Sequence, residues 1–126
     1  MATIAYEAAQ LQTLFGHTWR VTWPLMANGD EGQVWEQSCA ADRSVQVKGT
    51  FGAGGNCKIE GTNEACHEPT ATPTYAVLHD PQGNALDQSA ASIEAVTEAT
   101  AGIRPRISAG DATTSLTVTM LVRSVV

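Results

Sequence analysis

Cys57, Cys66 and His67 are of the residue types that bind transition metals in proteins. Their spacing matches no zinc-binding pattern, and the adjacent Cys66 and His67 would need a contorted loop to bind one ion together. With Cys39 the chain has three cysteines, an odd number, and in an intracellular protein such thiols stay reduced. We therefore predict no metal site. Whether Cys57 and Cys66 form a disulfide is left open, because a loop that folds back could bring them together.

Other residues that could do chemistry lack the required spacing. His17 and His79 fall in strand-like runs, where a histidine is more often a hydrogen-bonded polar residue than a base. Residues 28–31 and 80–84 contain Asn, Asp and Gly but not the spaced carboxylates of a calcium loop, so both are predicted to be turns. Gly52–Gly55 joins two strands, which favours a hairpin over a phosphate-binding loop. We predict no catalytic residue, no metal and no cofactor, and expect that the chain is not an enzyme.

The three tryptophans could form a binding surface, since aromatic side chains line sugar sites and anchor protein interfaces. Trp19 and Trp23 share one face of a strand and alternate with Thr and Arg, which is typical of a half-buried strand. This pattern favours core positions, with an exposed platform as the alternative. The corresponding functional alternative is a carbohydrate- or receptor-binding module with a pocket formed by Trp35, Tyr75 and His79.

The charge of the chain excludes some partners. A net charge of −6, with only seven Lys and Arg residues, argues against binding to nucleic acid phosphates. Arg104 and Arg106 alternate around Pro105 and so point to one face of a strand, as a solvated or subunit-facing pair. Nothing approaches the run of about 18 apolar residues that a membrane span requires. Because the N-terminus also lacks the features of a signal peptide, we expect no membrane partner and no secretion.

The elements that hold these residues are predicted to be short strands separated by turns, in an all-β, single-domain antiparallel β-sandwich that is jelly-roll-like. Residues 1–16 form an N-terminal arm or a short helix over Tyr6–Phe15 that Gly16 stops, and residues 17–126 form the sandwich. About eight strands are predicted, namely His17–Pro24, Val34–Cys39, Ser44–Phe51, Asn56–Gly61, Tyr75–His79, Ile93–Glu98, Ile103–Ile107 and Ser115–Val122.

Four of these strands carry further expectations. Ser44–Phe51 and Asn56–Gly61 are predicted to pair as a hairpin, with Cys57 and Ile59 facing inward. Pro105 removes a backbone donor, so its strand is expected at a sheet edge or at a kink. The composition of Ile93–Glu98 would also suit a helical turn.

The strand-and-turn phrases of residues 44–123 resemble small virion proteins of tailed bacteriophages, of the head decoration or cement type. The likeness is carried by Val-Gln-Val-Lys-Gly-Thr-Phe-Gly-Ala-Gly-Gly at 45–55, by Tyr75–Leu86, by Ile93–Glu98 and by Ile-Arg-Pro-Arg-Ile-Ser-Ala-Gly-Asp at 103–111. The chain departs from the family pattern at Asn63–Thr74, where an insertion carries Cys66 and His67. No likeness covers the residues before 44.

This resemblance implies a jelly roll or β-sandwich on the outer surface of the virion, made in the cytoplasm of the host bacterium. The protein would bind across junctions of the major capsid protein, work as a homo-oligomer (dimer or trimer) and stiffen the shell. Repeated attachment over a symmetric lattice makes modest interfaces effectively permanent. We predict capsid or subunit contacts at Tyr6, Leu11, Leu14, Phe15, Trp19, Trp23, Arg104 and Arg106.

Overall fold

A computed structural model gives the structure of the chain and describes residues 2–11, 17–36, 42–68 and 70–124. Within these residues there are strands and no helix. The twelve strand segments are β1 Thr3–Ile4, β2 Glu7–Leu11, β3 His17–Met26, β4 Glu31–Gly32, β5 Trp35–Glu36, β6 Asp42–Thr50, β7 Asn56–Thr62, β8 Ala76–Val77, β9 Asp87–Gln88, β10 Ser92–Val96, β11 Gly102–Ala109 and β12 Ser115–Ser124.

The strands form two sheets. A seven-stranded sheet runs in the order β1-β4-β11-β7-β8, with β5 also paired to β11 and β9 also paired to β7. A five-stranded sheet runs in the order β10-β6-β12-β3-β2. Neighbouring strands are antiparallel, except that β1 pairs with β4 in parallel.

The strand order is that of a jelly roll. Because β4 and β5 both pair with β11, they act as one interrupted strand, and β8 and β9 do the same beside β7. Apart from β1 and β2, eight strands then remain. Numbered along the chain, they lie in the orders 1-8-3-6 and 2-7-4-5. Two interlocked four-stranded sheets of this kind define the jelly-roll sandwich. The prediction of an all-β sandwich with about eight strands is confirmed.

The predicted hairpin between residues 44–51 and 56–61 is wrong. Strand β6 pairs with β10 and β12, whereas β7 pairs with β11 in the other sheet. Residues 51–55 therefore carry the chain across the sandwich, and Gly52 and Gly54 make the corner with positive φ angles of 73° and 67°. The alternation of each strand fixes which side chains face inward but not which strand lies beside it. Cys57 and Ile59 do face inward, as predicted.

The prediction that the strand around Pro105 lies at a sheet edge is also wrong. Strand β11 is paired on both sides, with β7 on one side and with β4 and β5 on the other. On the second side its partners are Glu31 at Arg106 and Trp35 at Ile103. Continued by one residue, the pairing of Arg106 with Glu31 sets Pro105 beside Gly32, the last residue of β4, so the missing N–H of the proline falls where pairing with β4 ends.

The N-terminal segment forms strands, so the short-helix alternative is wrong. Strand β1 joins the seven-stranded sheet, where the carbonyl oxygens of Ala2 and Ile4 accept hydrogen bonds from the N–H groups of Glu31 and Gln33 at 3.0 and 2.8 Å. Strand β2 then pairs with β3 in the five-stranded sheet. The arm thus reaches both sheets. The predicted contact residues Leu14 and Phe15, and the stop at Gly16, lie outside the described residues.

The core fills the space between the two sheets. In β12 the alternation predicted from sequence is confirmed, because Leu116, Val118, Met120 and Val122 are all fully buried. Facing them from the seven-stranded sheet are Ile59, Ile103 and Ile107, among others. At full burial each such side chain stabilises the fold by about 1.5–3 kcal/mol relative to exposure.

Candidate docking surface

The large apolar side chains that are exposed in the described residues all lie on the solvent side of the five-stranded sheet or at its margin. They are Leu25, Ile93 and Leu121, with exposed fractions of 71, 66 and 44%. Cross-strand pairing places Leu121 beside Ser44 and Arg20, and Ile93 beside Gln46. We call this surface the docking face. It comprises Arg20, Thr22, Leu25, Ser44, Gln46, Lys48, Ile93, Ala95, Thr117, Thr119 and Leu121.

Two depressions on this side of the five-stranded sheet are open to solvent. One, of about 280 Å³, is lined by Thr18, Asp42, Ser44, Leu121 and Arg123. The other, of about 240 Å³, is lined by Arg20, Ser44, Gln46, Ile93, Thr119 and Leu121. Ser44 and Leu121 line both, so Leu121 stands on the ridge between them. A broad face with small depressions open to solvent suits contact with another protein better than enclosure of a small ligand.

Leu25 is held outward by an unusual backbone conformation. Its φ angle is +50°, in the left-handed region that a leucine rarely adopts. Its N–H donates to the Thr117 hydroxyl oxygen at 3.3 Å, and Thr117 pairs across the sheet with Lys48. Residues held in such conformations cluster at binding and functional sites.

The docking face carries positive charge on an acidic chain. Arg20 and Lys48 form no ion pair with any described residue. At one end of the face Arg123 does pair with Asp42, and both of these side chains are more than half exposed. The charges of Arg20 and Lys48 are therefore available to a partner.

On the outer face of the seven-stranded sheet, Arg104 and Arg106 are paired with carboxylates of the same sheet. Glu60, only 5% exposed, accepts hydrogen bonds from the Nε atoms of Arg104 and Arg106 at 3.3 and 3.0 Å. The Nη1 atom of Arg104 also lies 3.1 Å from a carboxylate oxygen of Glu31. The same guanidinium stacks on Tyr75, 3.7 Å above the ring centroid. Burial raises the pKa of Tyr75 to about 12, although the positive charge of Arg104 opposes this shift.

The two described cysteines lie on opposite sides of the seven-stranded sheet. Cys57 is buried in the core, and burial raises its pKa to about 12. Cys66 lies on the outer side, where the Tyr75 hydroxyl is 3.9 Å from its Sγ atom. Both are free thiols, and a disulfide between them would have to pass through the sheet. The third cysteine, Cys39, lies outside the described residues.

In the described part of the chain, the side chains of the types that bind metals do not come together at one site. There, no group of three or more His, Cys, Asp or Glu side chains is placed to hold a metal ion. His67 approaches Glu36 at 3.5 Å, and the Nδ1 atom of His79 lies 2.7 Å from a carboxylate oxygen of Glu98. Burial would raise the pKa of Glu98, but hydrogen bonds from the backbone N–H and the ring of His79 lower it overall.

The pocket proposed from Trp35, Tyr75 and His79 is not assembled. Trp35 is buried at 4% exposure in the core, against Tyr6 and Trp19. Tyr75 lies on the opposite side of the same sheet with Arg104. The two aromatic rings therefore cannot line one pocket.

The contact residues predicted from sequence are distributed over three regions. Tyr6 packs edge-on against Trp23 and Trp35, with ring centroids 6.3 and 5.3 Å apart, and Trp19 lies half-buried beside Trp35. Trp23 is 1% exposed, which places it in the core, as the alternation favoured, and not on an accessible surface. Leu11 is half-buried at the end of β2, next to Thr18.

The prediction that Arg104 and Arg106 point to the same face of the sheet is confirmed, but both side chains are paired with Glu60. The residues of the docking face were not identified from sequence. Leu121 was detectable, since it is an apolar residue at a solvent-facing position of an otherwise alternating strand. Leu25 follows Pro24 near the end of β3 and carries no such signal.

Comparisons with protein-family models, with curated proteins and with solved structures gave no significant match to this chain. Among the described residues no helix is long and apolar enough to cross a membrane.

Proposed function

We propose that this chain is a structural decoration protein of a tailed-bacteriophage head. It binds the outer surface of the capsid across junctions of the major capsid protein, works as a homo-oligomer and catalyses no reaction. The proposal takes its partner from the resemblance of residues 44–123 to head decoration proteins. The jelly roll is compatible with it, since this architecture is common in viral capsid domains, and it is also common in lectins.

The observation that carries the proposal is the one-sided exposure of large apolar side chains. Leu25, Ile93 and Leu121 belong to one broad face, whereas on the opposite sheet Arg104 and Arg106 are paired with Glu31 and Glu60. Apolar side chains grouped on a polar surface mark sites of protein association. A face of this kind on a small domain is suited to repeated binding on a capsid lattice, where many modest contacts add up.

The polar groups of the chain's turns are used to hold the fold, which agrees with a structural role. The Asp80 carboxylate accepts hydrogen bonds from the N–H groups of Gln82 and Asn84 at 3.0 and 2.9 Å. The Asp30 carboxylate accepts from the N–H groups of Ala2 and Ala27 at 3.1 and 2.8 Å. These turns at 28–31 and 80–84 were predicted from sequence.

The test is binding of the purified chain to expanded capsids of the source phage that lack it, measured by co-sedimentation. We expect saturable binding, and a loss of about 10-fold or more in affinity for Leu121→Asp, because the charge would have to be desolvated in an apolar contact. The matched control is Thr74→Asp, an exposed position outside the docking face.

Two outcomes would overturn the proposal. One is a folded chain that does not bind capsids of its source at any concentration tested. The other is saturable binding to glycans in the absence of capsid binding, which would instead support the carbohydrate-binding alternative. Electron cryo-microscopy of the source particle would then locate the chain directly.

A further inference from the structure

We infer that the docking face recognises a protein surface that offers apolar contacts to Leu25, Ile93 and Leu121 and carries carboxylates opposite Arg20 and Lys48. This inference rests on the proposed function, from which it takes the major capsid protein as the partner. It adds the chemistry of the partner's surface and the way in which association is steered.

The arrangement of charge on the face is the first observation. Three of the seven basic residues of the chain, Arg20, Lys48 and Arg123, lie on this side of the five-stranded sheet. Asp42 neutralises Arg123, and Glu7 lies on the edge strand β2 opposite Thr22, without an ion pair to Arg20. Among the described residues, therefore, no carboxylate is paired with Arg20 or Lys48, and both can pair with a partner protein.

The two cations differ in their position relative to the exposed leucines. Across the strands, Arg20 is directly opposite Leu121. Lys48 is opposite Thr117, whose hydroxyl accepts the hydrogen bond from the Leu25 backbone. Arg20 and Leu121 therefore form one adjacent pair of a cation and a leucine, whereas Lys48 on β6 and Leu25 on β3 lie on either side of β12. A complementary surface has an apolar contact with a carboxylate beside it opposite Leu121 and Arg20, and a further carboxylate opposite Lys48.

The net negative charge of the whole chain does not prevent the docking face from binding a surface with carboxylates. The net charge of −6 is spread over the molecule, and salt screens charges beyond about 8–10 Å at physiological ionic strength. A partner that approaches the five-stranded sheet responds mainly to the local charges. Complementary local charges raise the association rate, whereas buried apolar contacts mainly slow dissociation.

The backbone of Leu25 indicates that its side chain is positioned before binding. The positive φ and the hydrogen bond to Thr117 hold a leucine that is 71% exposed at the margin of the face. Contacts that are already organised lose less entropy on association. Leu25 is therefore expected to affect dissociation more than association.

The test measures association and dissociation rates on immobilised capsids of the source phage at about 50 mM and about 300 mM NaCl. Arg20→Gln and Lys48→Gln should each slow association by about 3-fold or more at low salt and weaken its salt dependence. Lys58→Gln is the matched control, because Lys58 lies on the other sheet opposite Asp87. Leu25→Ala should mainly speed dissociation.

The outcomes separate the two proposals. If the wild-type chain does not bind capsids, the proposed function and this inference both fail. If the wild type binds but Arg20→Gln and Lys48→Gln keep its association rate and salt dependence, only this inference is overturned. If these variants instead dissociate a homo-oligomer in sedimentation and leave capsid binding unchanged, the face joins copies of the chain and the inference is wrong. Thermal melting confirms that each variant is folded.

Discussion

Gly32 lies so close to Pro105 that no larger residue fits in its place. A Cβ atom on Gly32 would lie 2.6 Å from the Cδ atom of Pro105 and 2.7 Å from the Cδ1 atom of Trp23. The glycine thus lets the chain pass over both rings, and the Trp23 indole N–H donates to the carbonyl oxygen of the next residue, Gln33, at 2.8 Å. Gly32 therefore helps to place Pro105 where pairing with β4 ends.

We predict that Gly32→Ala lowers the free energy of unfolding by about 1–3 kcal/mol, since the added methyl group forces the ring of Trp23 or the proline to move. Urea unfolding followed by tryptophan fluorescence measures this. The control is Gly54→Asn, because no atom lies within 4 Å of a Cβ there and asparagine tolerates its positive φ. An unfolding midpoint of Gly32→Ala equal to that of the wild type would show that the strand adjusts freely.

Glu60 provides a second prediction, about charges on the seven-stranded sheet. Glu60→Gln should lower the free energy of unfolding by about 1–3 kcal/mol, because the two guanidiniums of Arg104 and Arg106 lose a shared, buried carboxylate. Asp42→Asn breaks a comparable pair with Arg123, but in that pair both side chains are more than half exposed. It should cost less than about 1 kcal/mol.

Both variants are compared by urea unfolding at low and high salt. The effect of Glu60→Gln should persist at high salt, since buried charges are screened less than exposed ones. If Glu60→Gln and Asp42→Asn lowered the free energy of unfolding equally, and both effects became smaller at high salt, the proposed stabilisation by the buried Glu60 carboxylate would be contradicted.

The sequence predicted local features well and long-range ones poorly, for physical reasons. The inward faces of β12 and β7 follow from alternation, which depends only on which side of a strand is apolar. The strands that pair with β6 and with β7 do not follow from alternation, because two strands on opposite sheets of a sandwich alternate in the same way as two strands of a hairpin. Pro105 was misplaced for a similar reason, since the end of β4 lies about 70 residues away in the chain.

The candidate site was mostly missed because exposure is a property of the assembled sheet. Leu121 becomes part of a face only when β6, β10 and β3 lie around β12. The predicted contacts at Trp23, Arg104 and Arg106 were chosen by residue type, and their partners Gln33 and Glu60 come from other strands.

Asp111 gives a prediction about pH. Its carboxylate accepts hydrogen bonds from the Thr113 hydroxyl and from the N–H groups of Ala53 and Thr113, and these lower its pKa from 3.8 to about 2. On acidification the unfolded chain takes up the proton first, so this stabilisation is complete above about pH 4 and is lost as the pH falls through about 2. The Asp111→Asn variant should be less stable than the wild type at neutral pH and approach it in acid.

The measurement for Asp111 is urea unfolding at several pH values between about 2 and 7. Asp87→Asn is a control, because no comparable set of backbone donors binds that carboxylate among the described residues. A constant stability difference between wild type and Asp111→Asn over the whole range would exclude the proposed protonation.

Tyr6 anchors the N-terminal arm, and its removal should detach the arm without unfolding the sandwich. The ring packs edge-on against Trp23 and Trp35, whereas the next four residues of β2, from Glu7 to Gln10, are exposed. Aromatic pairs of this geometry each contribute about 0.5–1.5 kcal/mol beyond their burial. We expect Tyr6→Ala to increase the solvent exposure of the tryptophans, seen as a red-shifted fluorescence, and to make residues 2–11 more sensitive to proteases.

Glu7→Ala is the matched control and should change neither signal. Deletion of residues 1–16 is a less specific test, since it removes β1 and β2 from both sheets. If Tyr6→Ala keeps the fluorescence and the protease resistance of the wild type, main-chain pairing alone holds the arm.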